Sequence, residues 1–161
     1  MRVLRSLLLG LVGLVVLVGI VAVMARYHDG PIGPFPGGKL TGTRAPDAAP
    51  DWPAALNRAG TLEIEVNPAH PRSVTTSYVV RDRMLYVPSM MAARKTWPHE
   101  VLADDRVVLR IAGKLYDRRA VRVTDRDELR GVVRAFDAKN ADEPDLGHLS
   151  TWYFRMDPPR T

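Results

Sequence analysis

The sequence predicts a mainly β, α+β protein: a small six-stranded antiparallel barrel with one or two packed helices, preceded by a single N-terminal transmembrane helix. Three observations lead to this fold class. Ser6–Ala25 is a run of 20 residues without a charged side chain. Thr61–Val66 alternates apolar and acidic residues with the period of two that is typical of a strand with one solvent-facing side. Two hairpin patterns and one amphipathic helix then follow along the chain.

The apolar run near the N-terminus is long enough to span a bilayer. At about 1.5 Å per residue, a helix of this length covers roughly 30 Å of hydrocarbon. We therefore predict a membrane anchor over residues 1–26 that contacts the lipid bilayer through residues 6–25. A cleaved secretory signal is the alternative, because Val23–Ala25 fits a small-residue cleavage site. The run exceeds the roughly 7–15 apolar residues of a cleaved signal, which favours an uncleaved anchor.

Basic residues flank the apolar run on both sides, so both orientations of a single-pass protein stay open. Arg2 and Arg5 precede the run, and Arg26 and Lys39 follow it. Basic residues are enriched on the cytoplasmic side of membrane segments. The pair that precedes the run favours a cytoplasmic N-terminus and therefore an extracytoplasmic soluble domain.

The chain after the anchor has the composition of a spacer. Residues 27–60 contain six Pro and six Gly, which remove hydrogen-bond donors and raise the entropic cost of ordering. We predict a linker whose end docks onto the barrel through Trp52 and Leu56. A second interpretation is that Ile32 and Phe35 pack near the barrel mouth or the membrane surface. The predicted domains are thus residues 1–26, the anchor, residues 27–60, the linker, and residues 61–161, the barrel.

Six strands are predicted after Gly60, each rich in β-branched or aromatic residues and bounded by turn residues. Arg81–Arg83 predicts the polar turn of one hairpin, and Gly113–Lys114 predicts the tight turn of another. Adjacent hairpins favour a closed barrel, since closure removes exposed sheet edges. The predicted strands are Thr61–Val66, Ser73–Val80, Met84–Pro88, Arg106–Ala112, Leu115–Thr124 and Thr151–Met156.

A helix is predicted between the last two strands. Its apolar residues recur at i, i+3, i+4 and i+7, which forms one apolar stripe along an otherwise charged helix. Thr124 or Asp125 can cap the N-terminus of this helix, and an acidic loop, Asn140–Ser150, follows it. We therefore expect the helix to pack on the outside of the sheet. The stripe consists of Leu129, Val132, Val133 and Phe136.

Composition excludes several classes of function. The formal net charge is +5, but two of these charges belong to the flank of the anchor and the rest are spread along the chain. No basic patch for nucleic acid is therefore predicted. The chain has no Cys, which excludes disulfides and thiolate chemistry. Its four His show no metal-ligand spacing, and no metal site is predicted.

Ser89–Ile111 is the one stretch whose residue types suggest a chemistry. Arg94 and Lys95 place two cations beside a strand end, where they can bind a phosphate or carboxylate. Trp97 offers a flat surface for a ring system, although a Trp beside a Pro is often a core residue. His99 begins a predicted helical turn whose free N–H groups favour an anion. The loop therefore predicts either an anion-binding site or a basic surface turn with a buried Trp.

The order of these elements resembles that of the split β-barrel superfamily, which includes pyridoxamine-phosphate oxidases and deazaflavin-dependent nitroreductases. The similarity rests on the strand SVTTSYVV, the strand MLYVPS, the basic loop RKTW and the segment HEVLADDRVVLRI, in that order. It extends over Leu62–Phe136 and is closest to the deazaflavin-dependent branch. Together with the predicted membrane anchor, the resemblance implies a membrane-tethered oxidoreductase-like protein that transfers a hydride to a small quinone-type or nitro-type acceptor.

The resemblance also implies a cofactor, FMN or a deazaflavin, in a groove along the barrel of a homodimer. No catalytic residue is assigned by it; Tyr78, Tyr86 and Tyr116 are candidate proton donors or core residues. The residues that would line the cofactor are Arg72, Thr75, Ser77, Ser89, Arg94, Lys95, Trp97 and His99.

Two departures from the family pattern keep a second function open. Asn67–Arg72 stands where many deazaflavin-dependent relatives carry a glycine-rich turn, and its two prolines supply no N–H for a phosphate. Met90–Ala93 replaces a second glycine-rich turn with flexible side chains that can fill the groove. The alternative is a non-catalytic envelope protein that keeps the barrel as a binding or interaction module without a cofactor.

Overall fold

A computed structural model describes residues 2–46, 50–56, 60–139 and 150–160. Its first element is α1, Arg2–Tyr27, whose Leu4–Tyr27 part has a mean hydropathy of 3.1. By length and composition this helix can cross a membrane, and a secretory signal at the same place would meet the same criterion. The prediction of one N-terminal helix of membrane-spanning length is confirmed, whereas its side and its cleavage stay predictions.

The rest of the described chain forms one curled sheet with three helices packed around it. The helices are α2, Trp52–Leu56, α3, Thr96–Ala103, and α4, Arg126–Lys139. The strands are β1, Thr43–Arg44, β2, Thr61–Val66, β3, Arg72–Ser77, β4, Val79–Arg81, β5, Met84–Ser89, β6, Arg106–Ile111, β7, Lys114–Arg122, and β8, Trp152–Asp157.

The sheet curls so that β3, at one end, comes into contact with β5 near the other end. The strand order is β3-β2-β6-β7-β8-β5-β4 with antiparallel neighbours, and β1 pairs with β7 in parallel. Thr76 Oγ1 donates a hydrogen bond to Pro88 O at 3.3 Å, which joins β3 at one end of the sheet to β5 near the other. The predicted fold class is confirmed: an antiparallel half-barrel with packed helices and an N-terminal apolar helix.

Two predicted elements have a boundary that differs from the structure by more than two residues. The predicted strand Ser73–Val80 is interrupted at Tyr78, because the chain changes partner there: β3 pairs with β2, whereas β4 pairs with β5. The helical turn expected from His99 begins at Thr96, three residues earlier. Most of the predicted acidic loop Asn140–Ser150 lies outside the described residues.

The apolar faces of the strands bury one main core and a smaller cluster. Ile64, Leu109 and Phe154 are fully buried in the main core. Trp52 and Leu56 of α2 are also buried there, which confirms that this part of the predicted linker docks onto the barrel. The smaller cluster lies under α4 and consists of Val79, Tyr86, Val123, Val132 and Tyr153.

Much of the remaining predicted linker lies against the sheet. Gly37 exchanges two backbone hydrogen bonds with Ser73, at 2.9 and 3.0 Å. Leu40 is buried, and its N–H donates to Glu65 Oε2 at 2.5 Å. Ala45 N–H donates to Leu115 O at 2.7 Å, directly after β1. These contacts fasten the chain between α1 and the barrel to β2, β3 and β7, while the division into domains at Gly60 stays a prediction.

Candidate functional site

Several residues of the predicted cofactor-binding set lie in or directly after β5, close to its contact with β3. Ser89 is the last residue of β5, and it pairs with Trp152 of β8. From Ser89 the chain runs through a short 3-10 helix, Ala92–Arg94, into α3. The predicted residues Arg94, Lys95, Trp97 and His99 therefore lie on consecutive turns immediately after the strand end.

Ser89 and Arg72 contribute buried polar atoms that lack a partner among the described residues. Ser89 is 1% exposed, and its Oγ has no hydrogen-bond partner; the Nε of Arg72 is likewise buried and unpartnered. A buried polar group without a partner costs roughly 1–3 kcal/mol. Such groups mark places where a ligand can supply the missing partner. Both residues belong to the predicted cofactor-binding set.

Arg94, Lys95 and His99 lie nearer the surface. Arg94 and His99 are exposed, and Lys95 is half-buried. Within the described part of the chain, no carboxylate forms an ion pair with Arg94 or Lys95. The His99 ring meets the Trp152 ring edge-on at a centroid distance of 5.1 Å. Two cations without an ion-pair partner among the described residues can bind an anion beside the strand end.

Trp97 is a core residue in the structure. It is 5% exposed, and its ring packs against Phe154 with 5.5 Å between the centroids. The sequence left two interpretations of Trp97 open, a surface for a ring system or a core residue, and in the structure Trp97 is a buried core residue. Its ring therefore faces the barrel interior and presents no open surface to a cofactor.

Thr75 and Ser77 lie on the opposite face of β3 from Arg72. Residues paired across a ladder share a face, and Arg72 is paired with Val66, whose side chain is in the core. Thr75 is paired with Glu63, so it faces outward, where it lines a cavity of about 530 Å³ with Glu63. The structure thus divides the predicted set between the two faces of β3, and its cofactor-binding role stays a prediction.

The three candidate tyrosines contact other parts of the fold or are partly buried in it. Tyr86 Oη donates to Glu128 Oε1 at 3.0 Å, and burial, with this hydrogen bond, raises the pKa of Tyr86 to about 12. Burial also raises the pKa of Tyr78. Tyr116 is buried, with its ring centroid 5.5 Å from that of Trp52. Tyr86 therefore keeps its proton at neutral pH.

A larger cavity, of about 800 Å³, contains none of the predicted site residues. We call it the charged cavity. Glu65 and Arg118 lie in its wall and are 6% and 4% exposed. Leu40 covers Glu65, and burial raises the pKa of this carboxyl group. The alternation in β2 predicts that Glu65 faces solvent. No local pattern reveals its burial, because Leu40, which covers it, is 25 residues away in the chain.

The predicted lack of a metal site stays a prediction. No group of three or more His, Asp or Glu side chains is placed there so that it could bind a metal ion. Asp104 and Asp105 are neighbouring carboxylates in the stretch Ser89–Ile111. Asp104 is paired with Arg106, and Asp105 is paired with Arg119. Carboxylates that are already paired with guanidinium groups are poorly available as metal ligands.

Comparison with known proteins shows similarity at the level of structure. The sequence matches no family model and no curated protein. A candidate pyridoxamine 5'-phosphate oxidase from Listeria innocua is 15% identical, with a TM-score of 0.52 over 66% of this chain and 90% of that one. A candidate 5-nitroimidazole antibiotic resistance protein from Bacteroides thetaiotaomicron is 8% identical, with a TM-score of 0.53 over 67% of this chain and 78% of that one.

A conserved hypothetical protein from Mycobacterium tuberculosis, Rv2991, has a similar structure as well. It is 16% identical, with a TM-score of 0.55 over 74% of this chain and 87% of that one. At such identities these likenesses show the fold alone. The chain shares the barrel fold of these proteins, and closeness to the deazaflavin-dependent branch stays a prediction.

Proposed function

We propose that this chain is a membrane-tethered, flavin-binding, oxidoreductase-like protein that transfers a hydride to a small quinone-type or nitro-type acceptor. One observation carries the proposal. In a barrel that shares its fold with a candidate pyridoxamine 5'-phosphate oxidase, Ser89 Oγ is buried at the end of β5 without a hydrogen-bond partner among the described residues. The two cations Arg94 and Lys95 follow it within one short turn of chain.

The residues around Ser89 fit the phosphate of a flavin. On this proposal Ser89 Oγ and Arg72 Nε donate hydrogen bonds to phosphate oxygens, while Arg94 and Lys95 neutralise the charge. A bound flavin supplies hydride transfer, and the protein binds, orients and shields it. The nitro-type acceptor draws support from the Bacteroides protein, whose name refers to 5-nitroimidazole resistance. A deazaflavin is the alternative cofactor.

The tether and the homodimer belong to the same proposal. Helix α1 holds the barrel beside the bilayer with the N-terminus in the cytoplasm, so an acceptor dissolved in the membrane lies within reach. An extracytoplasmic barrel disfavours a deazaflavin unless that cofactor is exported. Protease treatment of intact cells tests the side, because an extracytoplasmic barrel is digested and a cytoplasmic one survives. Light scattering of the purified protein tests the dimer.

Fluorescence titration of the purified full-length protein tests flavin binding. We expect FMN or FAD to be quenched at micromolar protein, and Ser89→Ala to weaken binding about tenfold, as the loss of one hydrogen bond to a charged group implies. Ser73→Ala is the matched control, because Ser73 Oγ is also buried without a described partner but faces outward beside Glu65. A colourless protein that quenches neither a flavin nor a deazaflavin would contradict the proposal.

A non-catalytic envelope module is the second candidate. It is favoured by the burial of Trp97 in the core and by the position of Thr75 and Ser77 on the outer face of β3. Lys95→Ala separates the two functions when the cofactor affinity and the melting temperature of the variant and of the unaltered protein are measured side by side. If the variant binds the cofactor more weakly at an unchanged melting temperature, the flavin-binding protein is supported. If the unaltered protein is stably folded and binds no cofactor, the module is supported.

A further inference from the structure

The charged cavity has a strongly apolar side. It lies between the turn that follows β2, the C-terminal end of α3 and the β6–β7 hairpin. Pro68, Pro71 and Leu102 line it together with Val66 and Val107. Leu102 is 51% exposed although it belongs to a helix that packs on the barrel. An apolar ligand portion that covered Leu102 would bury this surface favourably.

The other side of the charged cavity carries an excess of positive charge. Six basic and four acidic side chains line it, so an anion is favoured there. Asp104, Asp105 and Asp117 are already paired with arginines. The Glu65 carboxylate accepts the N–H of Leu40. Lys39 forms no ion pair with any described residue, and it acts on Glu65 only through its charge, so its ammonium group can still bind a ligand anion.

A second cavity connects this site with the end of α1. It has a volume of about 570 Å³, and we call it the helix-end cavity. Arg26 and Tyr27, at the C-terminal end of α1, line it, and it shares Lys39 and Pro71 with the charged cavity. The end of a membrane-spanning helix lies at the level of the lipid headgroups. The two cavities therefore adjoin at Lys39 and Pro71, close to the end of α1.

We propose that the charged cavity binds an amphiphilic anion, a phosphate or carboxylate carrying one alkyl chain, which enters from the bilayer through the helix-end cavity. Lys39 binds the anionic head, and Leu102 with the neighbouring prolines covers the chain. The direction of entry rests on the membrane tether of the proposed function. The cavity itself does not depend on flavin binding, because none of the eight residues predicted for the cofactor lines it.

Photo-crosslinking tests the site in the full-length protein, reconstituted into phosphatidylcholine nanodiscs. The probe is decyl phosphate with a diazirine on its alkyl chain, and labelled peptides are identified by mass spectrometry. We expect labelling of the peptides that contain Pro68–Pro71 and Leu102–Val108. Labelling confined to α1 would overturn the proposal, because it would report only probe dissolved in the bilayer.

Matched variants test the two halves of the site. We expect Lys39→Gln to lower cavity labelling by decyl phosphate about fivefold, as the loss of a charge-assisted contact implies, and to leave labelling by diazirine-bearing decanol unchanged. Leu102→Gln is expected to lower labelling by both probes. Lys114→Gln and Met91→Gln are the controls, since both side chains are exposed and lie outside the cavity. Labelling that none of the variants changes would overturn the proposal.

Two further measurements are made. One distinguishes an amphiphilic ligand from a free anion, and the other distinguishes failure of the cavity site from failure of the membrane tether. If inorganic phosphate abolishes cavity labelling at a concentration equal to that of the probe, the site takes a free anion and the amphiphile is wrong. If cavity labelling persists while an alkaline wash removes the protein from membranes, the tether of the proposed function fails and the cavity site stands. Absence of flavin quenching leaves the labelling result unaffected.

Discussion

Lys95 and Trp97 are two residues apart, yet their surroundings differ completely. The half-buried Lys95 precedes the first residue of α3 and forms no ion pair among the described residues. The ring of Trp97 lies in the main core against Phe154. Two residues this close in the chain can therefore be substituted to separate an effect on ligand binding from an effect on the core.

Trp97→Ala is expected to destabilise the protein by about 3–5 kcal/mol, because it removes a large ring from a packed core and leaves a cavity. Lys95→Ala is the control, and we expect a change within about 0.5 kcal/mol for this residue near the surface. Urea unfolding followed by circular dichroism measures both. Equal stability of the two variants would show that the Trp97 ring is not part of the core.

The buried tyrosines predict a loss of stability at high pH. Burial raises the pKa of Tyr86 and of Tyr153 to about 12, with smaller contributions from Glu128 and Asp137 respectively. An unfolded tyrosine loses its proton near about pH 10, so between about pH 10 and 12 the unfolded chain gives up protons that the folded chain keeps. The free energy of unfolding is therefore unaffected by these groups below about pH 10 and falls above it.

Urea titrations at a series of alkaline pH values check this dependence. In the variant with both Tyr86→Phe and Tyr153→Phe, the decrease in unfolding free energy above about pH 10 should be smaller than in the unaltered protein. Tyr27→Phe is the matched control, because Tyr27 is 86% exposed. A decrease of the same steepness in all three proteins would refute the assignment to the buried tyrosines.

At the scale of the element, α4 is held on the sheet by apolar packing and by one carboxylate. Val132 is fully buried in the cluster beneath the helix. Asp125 Oδ1 accepts the N–H of Glu128 at 2.8 Å and so caps the helix, as its sequence predicts. Glu128 accepts hydrogen bonds from Arg155 of β8 and from Tyr86 of β5. One side chain therefore joins the helix to two strands.

Glu128→Gln is expected to destabilise the protein by about 1–3 kcal/mol, because it leaves Tyr86 without a charged acceptor and removes one of the two carboxylates that bind Arg155, the other being Asp157. Arg130→Gln is the control on the same helix. Its exposed ion pair with Asp127 contributes little, and a change within about 0.5 kcal/mol is expected. Thermal and urea unfolding measure both variants, and an equal effect of the two would contradict the bridging role of Glu128.

At the scale of the whole molecule, the segment between α1 and α2 couples the apolar helix to the sheet. Arg26 at the end of α1 donates to Pro71 O at 2.6 Å. Asp29 binds Arg110 of β6, and Arg110 in turn binds Glu63 of β2. Asp29 therefore has a lowered pKa, through its hydrogen bonds to Thr41 and the charge of Arg110. The barrel is thus connected to the helix by a packed segment with several independent contacts.

Gly37→Ala is expected to detach this segment, since the added methyl group would fall on the backbone carbonyl of Gly30. A clash with backbone cannot be relieved by a side-chain rotation, and it costs about 1–3 kcal/mol. Hydrogen exchange should rise for residues 37–46. Gly60→Ala is the matched control, because no atom of the described residues lies within 4 Å of its added methyl group. Unchanged exchange in Gly37→Ala would show that this packing does not hold the segment.

Local patterns in the sequence carried most of the fold. The alternation in Thr61–Val66, the turn at Gly113 and the apolar stripe of α4 each depend on neighbours within a few residues, and each element formed as predicted. The break at Tyr78 was missed, because it reflects a change of partner strand when the sheet curls. The contacts of residues 26–46 were missed for a different reason, because a Pro-rich and Gly-rich segment has no periodicity that reveals its docking surface.

The amino-acid sequence by itself determined an apolar helix, an antiparallel barrel, and a basic loop at a strand end, because periodicity and turn chemistry act over short distances. Only the tertiary structure decided which side chains of that loop reach ligand-accessible positions. In the folded chain the Trp97 side chain points into the core, and the hydroxyl of Ser89 is buried without a hydrogen-bond partner among the described residues. It also assembled the charged cavity from segments far apart in the chain, and burial of charge there depends on long-range packing that no local pattern encodes.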